Sequence, residues 1–381
     1  MDSTQPLTLL GGLSAAQFMR RYWQKKPLLV RGAMPGIMPP LDRAALFALA
    51  AEEGVESRLI RQQTKGWTLR HGPFARRSLP PTTQAGWTLL VQGVDLHHDA
   101  AHALLRDFRF IPDARLDDLM ISYASDGGGV GPHFDSYDVF LLQVAGRRRW
   151  SIGRQKDLSL QPGVPLKILQ HFEPEHSWVL EPGDMLYLPP RYAHDGVAEG
   201  GDCMTYSIGL RSPEKSHLAA DLLARMAEAH AEAAEDAPVE RRSHYRDARQ
   251  DAVDAPAAMP AALRAYAREA VEAALRDADI VDRALGESMT EPKANVWFEP
   301  GEAPDDWSTH PGVRLDRRTR MLYDERHIYI NGESFRAGGR DATLMRKLAD
   351  QRALEAADLR KASDDALDLM GDWAEAGWLH G

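Results

Sequence analysis

The chain has 381 residues, of which 44% are hydrophobic and 27% are charged, so it is long enough for two or three domains with substantial cores. Its net charge of −10 argues against general nucleic-acid binding, which needs a basic face, and is compatible with a basic protein partner. The single cysteine excludes a disulfide framework; since residues 1–10 lack a secretory signal and no apolar run approaches a membrane span, we expect a cytoplasmic protein.

The first 210 or so residues are rich in aromatic, β-branched, glycine and proline residues. Short apolar runs in this part alternate with turn signals, which is typical of strands. We predict strands at Trp87–Val91, Leu119–Tyr123, Val139–Val144 and Met185–Leu188. Many short strands of this kind indicate a closed or sandwiched β architecture.

From residue 213 to about 290 the chain is rich in alanine, glutamate, aspartate and arginine. Leucines such as Leu218 and Leu222, and later Leu263 and Leu275, recur at helical spacing, so this part is predicted to be helical. Helices attached to a β domain either form a dimer interface or cover the barrel, and the residues alone leave both possibilities open.

The composition changes again after Pro292. Arg320–Tyr323 and His327–Ile330 are strand-like, and Asn331-Gly332 predicts a tight turn before the next strand. Two helical patterns come after it. We predict a small α+β module that resembles a winged helix but lacks a strongly basic recognition helix, so we interpret it as a protein-interaction or packing module.

The stretch from Gly127 to Asp135 carries the first two residues suited to metal binding. His133 and Asp135 lie two residues apart on what we predict to be a strand, where alternate side chains point to one face. One imidazole and one carboxylate supply two ligands of the 2-His-1-carboxylate triad, which leaves three metal positions free for substrate and O₂.

A third ligand is predicted from the segment Glu181–His194. Pro182-Gly183 predicts a turn, the apolar run after it a strand, and a proline pair the end of that strand, so that His194 opens the next short strand. A double-stranded β-helix returns a third ligand to its metal in this way. We therefore predict that His133, Asp135 and His194 hold one metal ion.

An iron(II) site of this kind takes two electrons from 2-oxoglutarate, whose distal carboxylate needs a cation. Arginine offers a carboxylate a bidentate fork. Gly146–Trp150 contains three arginines, and strand alternation places Arg148 on the face opposite Arg147 and Arg149. Spacing alone does not tell which face is inside.

These segments resemble JmjC-type oxygenases of the ribosomal oxygenase group, and within it the bacterial arginine 3-hydroxylases of large-subunit ribosomal protein sixteen. The resemblance is dense over residues 15–212 and sparse beyond them. Further matching segments are Phe18, Trp23–Pro27, Arg31, Glu56–Leu59, His71–Phe74, Asp117–Ser122 and Tyr137–Phe140.

The resemblance implies a mainly β plus α fold, in which a JmjC and cupin-like double-stranded β-helix precedes a helical region and a small winged-helix-like α+β module. Residues 1–212 are then the catalytic domain with its N-terminal extension. Residues 213–290 are the helical dimerisation region of a homodimer, and residues 291–381 are the C-terminal module.

The resemblance also implies roles for single residues. His133, Asp135 and His194 become the ligands of Fe(II). Arg148 becomes the partner of the distal carboxylate of 2-oxoglutarate, and Ser122 becomes a helper hydroxyl. The implied co-substrates are 2-oxoglutarate and O₂.

The implied target is an arginine in a loop of a basic ribosomal protein, hydroxylated at carbon 3. Because acidic and aromatic groups hold such a cation, Tyr137, Asp138 and Asp118 are expected to contact it. Two other metal enzymes stay open: a JmjC-type N-methyl-lysine demethylase, and a non-redox cupin, which would not need Arg148. A DNA-binding regulator is a third alternative, although the missing basic stripe leads us to expect no direct nucleic-acid binding.

Overall fold

The structure, a computed structural model, describes residues 2–63, 66–236, 238, 243–276, 278–304, 306–307 and 309–381. The chain divides into two compact units. The first comprises Met1–Ser212 with Lys293–Phe298, and the second comprises Pro213–Pro292 with Glu299–Gly381. The predicted separation of residues 213–290 from residues 291–381 stays a prediction. No helix among the described residues is long and apolar enough to cross a membrane.

Nine of the described strands form one antiparallel sheet in the first unit, ordered β1-β8-β6-β9-β5-β4-β2-β3 with β7 added beside β6. Their bounds are β1 Leu28–Val30, β2 Ser57–Gln63, β3 Gly66–His71, β4 Trp87–Val91, β5 Leu116–Ala124, β6 Val139–Gly153, β7 His176–Leu180, β8 Met185–Leu188 and β9 Ala193–Leu210. The four strands predicted in this region lie within β4, β5, β6 and β8 and are confirmed. The short strand predicted at His194 is wrong in length, because β9 has 18 residues and pairs with both β5 and β6.

Strand β6 supplies side chains to both faces of the sheet. Leu142 packs into the core beneath the N-terminal helices, whereas Leu141 packs into a second, interior core. Two register shifts against β9 at residues 143–147 interrupt this alternation, and Gly146 takes a left-handed φ of 62° there. A register shift changes which residues face inward, so beyond the bend Arg148 turns to the interior.

Three short helices, with apolar segments around them, cover the other face of the sheet. They are α1 Ala15–Arg21, α2 Arg43–Leu49 and α3 Asp99–Leu104. Ser14 and Gln17 form a capping box at the start of α1, and the carboxylate of Asp42 caps α2. Phe18 and Leu46 are completely buried against the sheet. This face is therefore filled, and the opposite face is left to enclose a cavity.

The second unit combines six helices and six strands among its described residues. They are α4 Lys215–Asp236, α5 Ala261–Arg276, α6 Ala278–Thr290, β10 Gly312–Leu315, β11 Met321–Tyr323, β12 His327–Ile330, β13 Glu333–Arg336, α7 Gly339–Gln351, β14 Ala353–Glu355, α8 Ala356–Leu359, α9 Asp364–Glu375 and β15 Leu379–His380. The predicted turn is confirmed: Asn331 and Gly332 have φ of 48° and 92° and join β12 to β13. Around these strands, α7 and α9 bury a core that includes Leu348 and Trp373.

Candidate metal centre

The interior of the first unit holds a cavity of about 340 Å³. Its walls come from β2, β4, β5, β6 and β9, and from the irregular segment between β5 and β6. Of the eight site residues predicted from the sequence, seven line this cavity. They are Asp118, Ser122, His133, Asp135, Tyr137, Arg148 and His194.

The three predicted metal ligands come together on one side of the cavity. The ligating atoms of His133, Asp135 and His194 all lie within 4.8 Å of one another. The Nε2 atom of His194 is 3.6 Å from Oδ2 of Asp135. Two imidazole nitrogens and one carboxylate oxygen at this spacing match the facial triad of an open metal site.

The backbone holds the two histidines side by side. His133 and His194 form an isolated antiparallel bridge, with N–H···O distances of 3.0 and 2.8 Å in the two directions. The carbonyl of Asp135 accepts the N–H of Arg191 at 2.7 Å. The predicted strand at His133–Asp135 is wrong, because the segment leaves β9 after this one bridge. The two ligands therefore converge through a bridge and a turn.

Both imidazoles are oriented by their second nitrogen. Nδ1 of His133 lies 2.9 Å from the carbonyl of Gly131, and Nδ1 of His194 lies 3.0 Å from the carbonyl of Tyr192. A carbonyl only accepts, so each Nδ1 donates its proton and leaves the Nε2 lone pair for a metal. Burial, and secondarily the neighbouring His133, lower the pKa of His194 to about 4, so its imidazole is neutral at pH 7.

Arg148 lies in the same cavity with a guanidinium that the protein satisfies only in part. The residue is 4% exposed, and Nη1 donates to Oγ of Ser122 at 3.3 Å. Within the described part of the chain, Nε and Nη2 have no hydrogen-bond partner although both are buried. Buried guanidinium donors need an acceptor, so the donors of this site fit an anion.

Trp150 is a residue that the sequence reasoning missed. Its ring centroid lies 5.7 Å from the guanidinium carbon of Arg148 and 5.7 Å from the ring centroid of His194. The opposite residue, Gly196, makes room for it, because a Cβ there would lie 2.6 Å from the indole. The tryptophan at the end of the Gly146–Trp150 segment could have indicated this role, because it is two residues from Arg148. The indole of Trp150 lies beside both Arg148, which would bind the anion, and His194, which would bind the metal.

Asp138 does not reach the cavity, which corrects its prediction as a contact of the target side chain. It is completely buried, where its carboxylate accepts hydrogen bonds from Tyr187 at 2.6 Å and Gln24 at 3.0 Å. Arg115 lies 3.4 Å away. The residue follows Tyr137 by one position and points to the opposite side, so it ties the N-terminal segment to the barrel.

Tyr137 and Asp118, which were predicted to contact the target, line the cavity, and the pKa of each is influenced by the charges around it. Burial, followed by the charges of Asp135 and Asp118, raises the pKa of Tyr137 above its usual value, so the phenol stays protonated. Burial also raises the pKa of Asp118, while Lys293 opposes that rise. Sequence reasoning missed Asp117 and Arg58 as wall residues, although both lie in segments that carried the family resemblance.

A barrel that presents two histidines, one carboxylate and a buried arginine to one cavity defines a metal-dependent enzyme of the cupin class. Residues 103–218 match the JmjC domain family, and residues 273–380 match the ROXA-like winged helix family. The fold class predicted from the sequence is therefore confirmed. The two matches lie in the predicted order, with the JmjC domain before the winged-helix module.

Two kinds of relative extend this match. The ribosomal protein uL16 3-hydroxylase of Escherichia coli (strain K12) is 42% identical over 207 residues, which cover 54% of this chain and 55% of that protein. The chain thus spans about half the length of the curated relatives that it matches first. A crystal structure of the Escherichia coli ribosomal oxygenase YcfD is 30% identical with a TM-score of 0.80, covering 97% of this chain and 98% of that one.

A further YcfD structure, in complex with cobalt and 2-oxoglutarate, is 29% identical with a TM-score of 0.79. It covers 96% of this chain and 97% of its own. On these matches the chain belongs to the JmjC-domain ribosomal oxygenase family, as the resemblance of its motifs predicted.

Proposed function

We propose that this protein is an Fe(II)- and 2-oxoglutarate-dependent oxygenase that hydroxylates carbon 3 of an arginine in ribosomal protein uL16. In this proposal His133, Asp135 and His194 hold the iron. The bound iron and 2-oxoglutarate would supply the oxidising chemistry, in which O₂ and 2-oxoglutarate give succinate, CO₂ and one hydroxylated C–H bond. The chain itself orients the ligands, binds the co-substrate and positions the target.

The observation that carries the proposal is the buried guanidinium of Arg148 in the same cavity as the two histidines and one carboxylate of the metal cluster. In the described structure two nitrogen atoms of this guanidinium, Nε and Nη2, have no hydrogen-bond partner. A dicarboxylate that chelates a metal at one end presents a carboxylate to such a fork at the other. Ser122 already orients Nη1. The chemistry of these donors therefore fits 2-oxoglutarate, and a cupin that uses no keto acid would leave the guanidinium without an acceptor.

The acidic part of the cavity wall supports a cationic target. Asp117 and Asp118 place two carboxylates there, and Tyr137 adds an aromatic ring that is 40% exposed. Carboxylates pair with a guanidinium through charge-assisted hydrogen bonds, and an aromatic face attracts it. We propose that Asp118 and Tyr137 contact the arginine of the target.

The proposal is tested by incubating purified protein with a uL16 peptide that contains arginine, Fe(II), 2-oxoglutarate and O₂. A mass increase of one oxygen on the arginine, dependent on all three, is expected. The matching test in cells compares ribosomal proteins from strains with and without the gene by mass spectrometry. Unchanged masses in both strains would refute the substrate, whereas absence of 2-oxoglutarate turnover with any peptide would refute the oxygenase.

The same assay distinguishes the proposed hydroxylase from a demethylase, and a binding assay distinguishes it from a DNA-binding regulator. Loss of a methyl group from an N-methyl-lysine peptide, without oxygen addition to arginine, would indicate a demethylase. We further propose that the protein acts in the cytoplasm without binding nucleic acid itself. Salt-dependent affinity for duplex DNA in a filter-binding assay would instead favour a regulator.

We also propose that the second unit mediates a homodimer. Helix α5 has no buried residue, and it exposes Leu263, Val271 and Leu275 by 37%, 60% and 48%. Large exposed apolar side chains at helical spacing are typical of an interface. Light scattering should give twice the chain mass, and a Val271→Glu, Leu275→Glu double variant should give a single chain mass.

A further inference from the structure

The Lys293–Phe298 segment belongs to the first unit although the chain on both sides of it belongs to the second. Two contacts hold this segment in place. Nδ2 of Asn295 donates to the carbonyl of Gly54 at 2.9 Å, and the indole of Trp297 covers Gly54 so closely that a Cβ there would lie 2.3 Å from it. The segment therefore presents Lys293 from a fixed position.

Lys293 faces the carboxylate wall of the cavity. Its Nζ lies 3.1 Å from Oδ1 of Asp117 and 3.9 Å from Oδ2 of Asp118. Asp117 is the extra residue of a β-bulge, since Leu116 pairs with Leu210 and Asp118 with Gly209. A bulge breaks the alternation of a strand, so two consecutive carboxylates reach one cavity.

The carboxylates of Asp117 and Asp118 differ in their exposure to solvent. The side chain of Asp118 is 5% exposed, against 38% for Asp117 and 30% for Lys293. Oδ2 of Asp118, the atom nearer Lys293, accepts the N–H of Gly93 at 3.1 Å. Its Oδ1 lies over Gly209, which lines the cavity. A Cβ on residue 209 would be 3.1 Å from this oxygen, so the glycine leaves space beside it.

Other charges act on this carboxylate as well. Asp95, buried nearby, accepts the N–H of Leu119 at 2.8 Å, and the charge of Asp118 is one of the causes that raise the pKa of Asp95. Arg211 lies 3.5 Å from Asp117, and Gln92 hydrogen-bonds Asp118 and accepts from Arg58 at 2.7 Å. Tyr137 faces the pair from the cavity. Of these groups, Lys293 is the cation with the largest effect on Asp118.

We propose that Lys293 is a positioning residue that keeps Asp118 ionised in a buried environment, so that the cavity discriminates a cationic side chain from a neutral one of the same shape. The inference deepens the proposed function and rests on it for the identity of the target. A buried carboxylate without a nearby cation takes up a proton and becomes a poor partner for a guanidinium. Lys293 would thus act on the target through Asp118 without contacting it.

The direction of the pH effect follows from these charges. Burial raises the pKa of Asp118 and Lys293 lowers it, so removing the lysine charge moves that pKa upward. At a given pH a smaller fraction of Asp118 is then ionised, and raising the pH restores the ionised form. Arginine stays protonated throughout this range, so the change reports the carboxylate.

The test compares Lys293→Met with the native protein, and measures binding of a uL16 peptide and its citrulline counterpart by calorimetry between pH 6 and 9. Citrulline keeps the shape of arginine and lacks its charge. The variant should lose preference for arginine at the low end of this pH range, and it should regain this preference as the pH is raised. Lys293→Arg should restore it.

The exposed Lys156 supplies the control, since Lys156→Met should leave the preference unchanged at every pH. Lys293→Gln repeats the test if the methionine variant does not fold. If the variant prefers arginine over citrulline as strongly as the native protein does, or if its loss of preference does not depend on pH, the role proposed for Lys293 is overturned. Neither result would affect the proposed function. Tighter arginine binding by the variant would mean that Lys293 competes with the target, and would also overturn it. A native protein that prefers arginine in binding yet never hydroxylates it would refute the proposed function but not this inference.

Discussion

Two parts of the cavity are built in different ways: the metal end, which carries His133, Asp135 and His194, and the carboxylate end, which carries Asp117 and Asp118. At the metal end, the imidazoles of His133 and His194 each donate a hydrogen bond from Nδ1 to a backbone carbonyl, and each carbonyl lies two residues before the ring that it orients. At the carboxylate end, Asp118 depends on Gly93 and on Lys293, which are distant in the chain. The orientation of each imidazole ring is a local property of the backbone, whereas the charge of Asp118 depends on distant segments of the chain.

The largest effect is expected at the metal end. His194→Ala removes a ligand and should lower turnover below about one-thousandth of native, because the metal supplies the oxidising chemistry. Calorimetry with Co(II) should show weakened metal binding as well. The exposed His171→Ala is the control and should keep both properties. Native turnover in the His194 variant would remove the basis of the metal assignment.

Next in size is the loss of the co-substrate fork. Arg148→Met should raise the KM for 2-oxoglutarate about 100-fold, since two charge-assisted hydrogen bonds contribute about 1.5 kcal/mol each. Arg147→Met and Arg149→Met change exposed neighbours and should leave this KM within about twofold. Equal effects from all three variants would contradict the inward turn that β6 makes at its bend.

At the carboxylate end the expected loss is smaller and selective. Asp118→Asn should reduce the preference for an arginine peptide over a citrulline peptide by about 10- to 30-fold, with metal binding unchanged. Asp113→Asn removes a carboxylate that pairs with Arg109 outside the cavity and serves as control. An Asp118 variant that keeps full discrimination would move the cation site elsewhere.

Asp138, one position after a wall residue, should affect stability instead of binding. Asp138→Asn weakens a buried carboxylate that pairs with Tyr187, Gln24 and Arg115, and should lower the free energy of unfolding by about 2 to 3 kcal/mol. Denaturant unfolding measures this loss. Should the variant unfold like the native protein but bind peptide poorly, Asp138 would be a substrate contact after all.

The smallest effect concerns Asp95, whose pKa is raised to about 7, first by burial and then by Asp118. The folded state holds the proton more tightly than the unfolded chain, so this stability is present below pH 4 and is lost as the pH rises through about 7. Asp95→Asn keeps an acceptor for Leu119 and should raise the Tm at pH 8 by about 1 to 4 °C, but little at pH 4 to 5. Equal shifts at both values would rule out this titration.

Much of the fold and of the site could be predicted from the sequence where the signal is local. Strands β4 and β8 and the Asn331-Gly332 turn follow from apolar runs and turn residues. The three ligands were recognisable because His133, Asp135 and His194 lie in segments rich in glycine and proline, which favour close turns. The expected strand at His133–Asp135 was wrong, since one bridge and one backbone bond replace a strand there.

Other features depended on contacts between distant segments. The sequence placed three arginines after Gly146 but could not choose among them, because two register shifts in β6 decide which one faces inward. It could not separate Tyr137 from Asp138 either, and the structure sends one to the cavity and the other to the core.

The sequence by itself therefore determined the class of fold, the ligand types and the family, since these are written in short motifs whose local geometry is nearly self-sufficient. Only the tertiary structure decided which arginine is inside, which aspartates face the cavity and that Lys293 lies among them. The physical reason is that burial and charge at one point depend on every segment that packs there, including one that is 175 residues farther along the chain than Asp118.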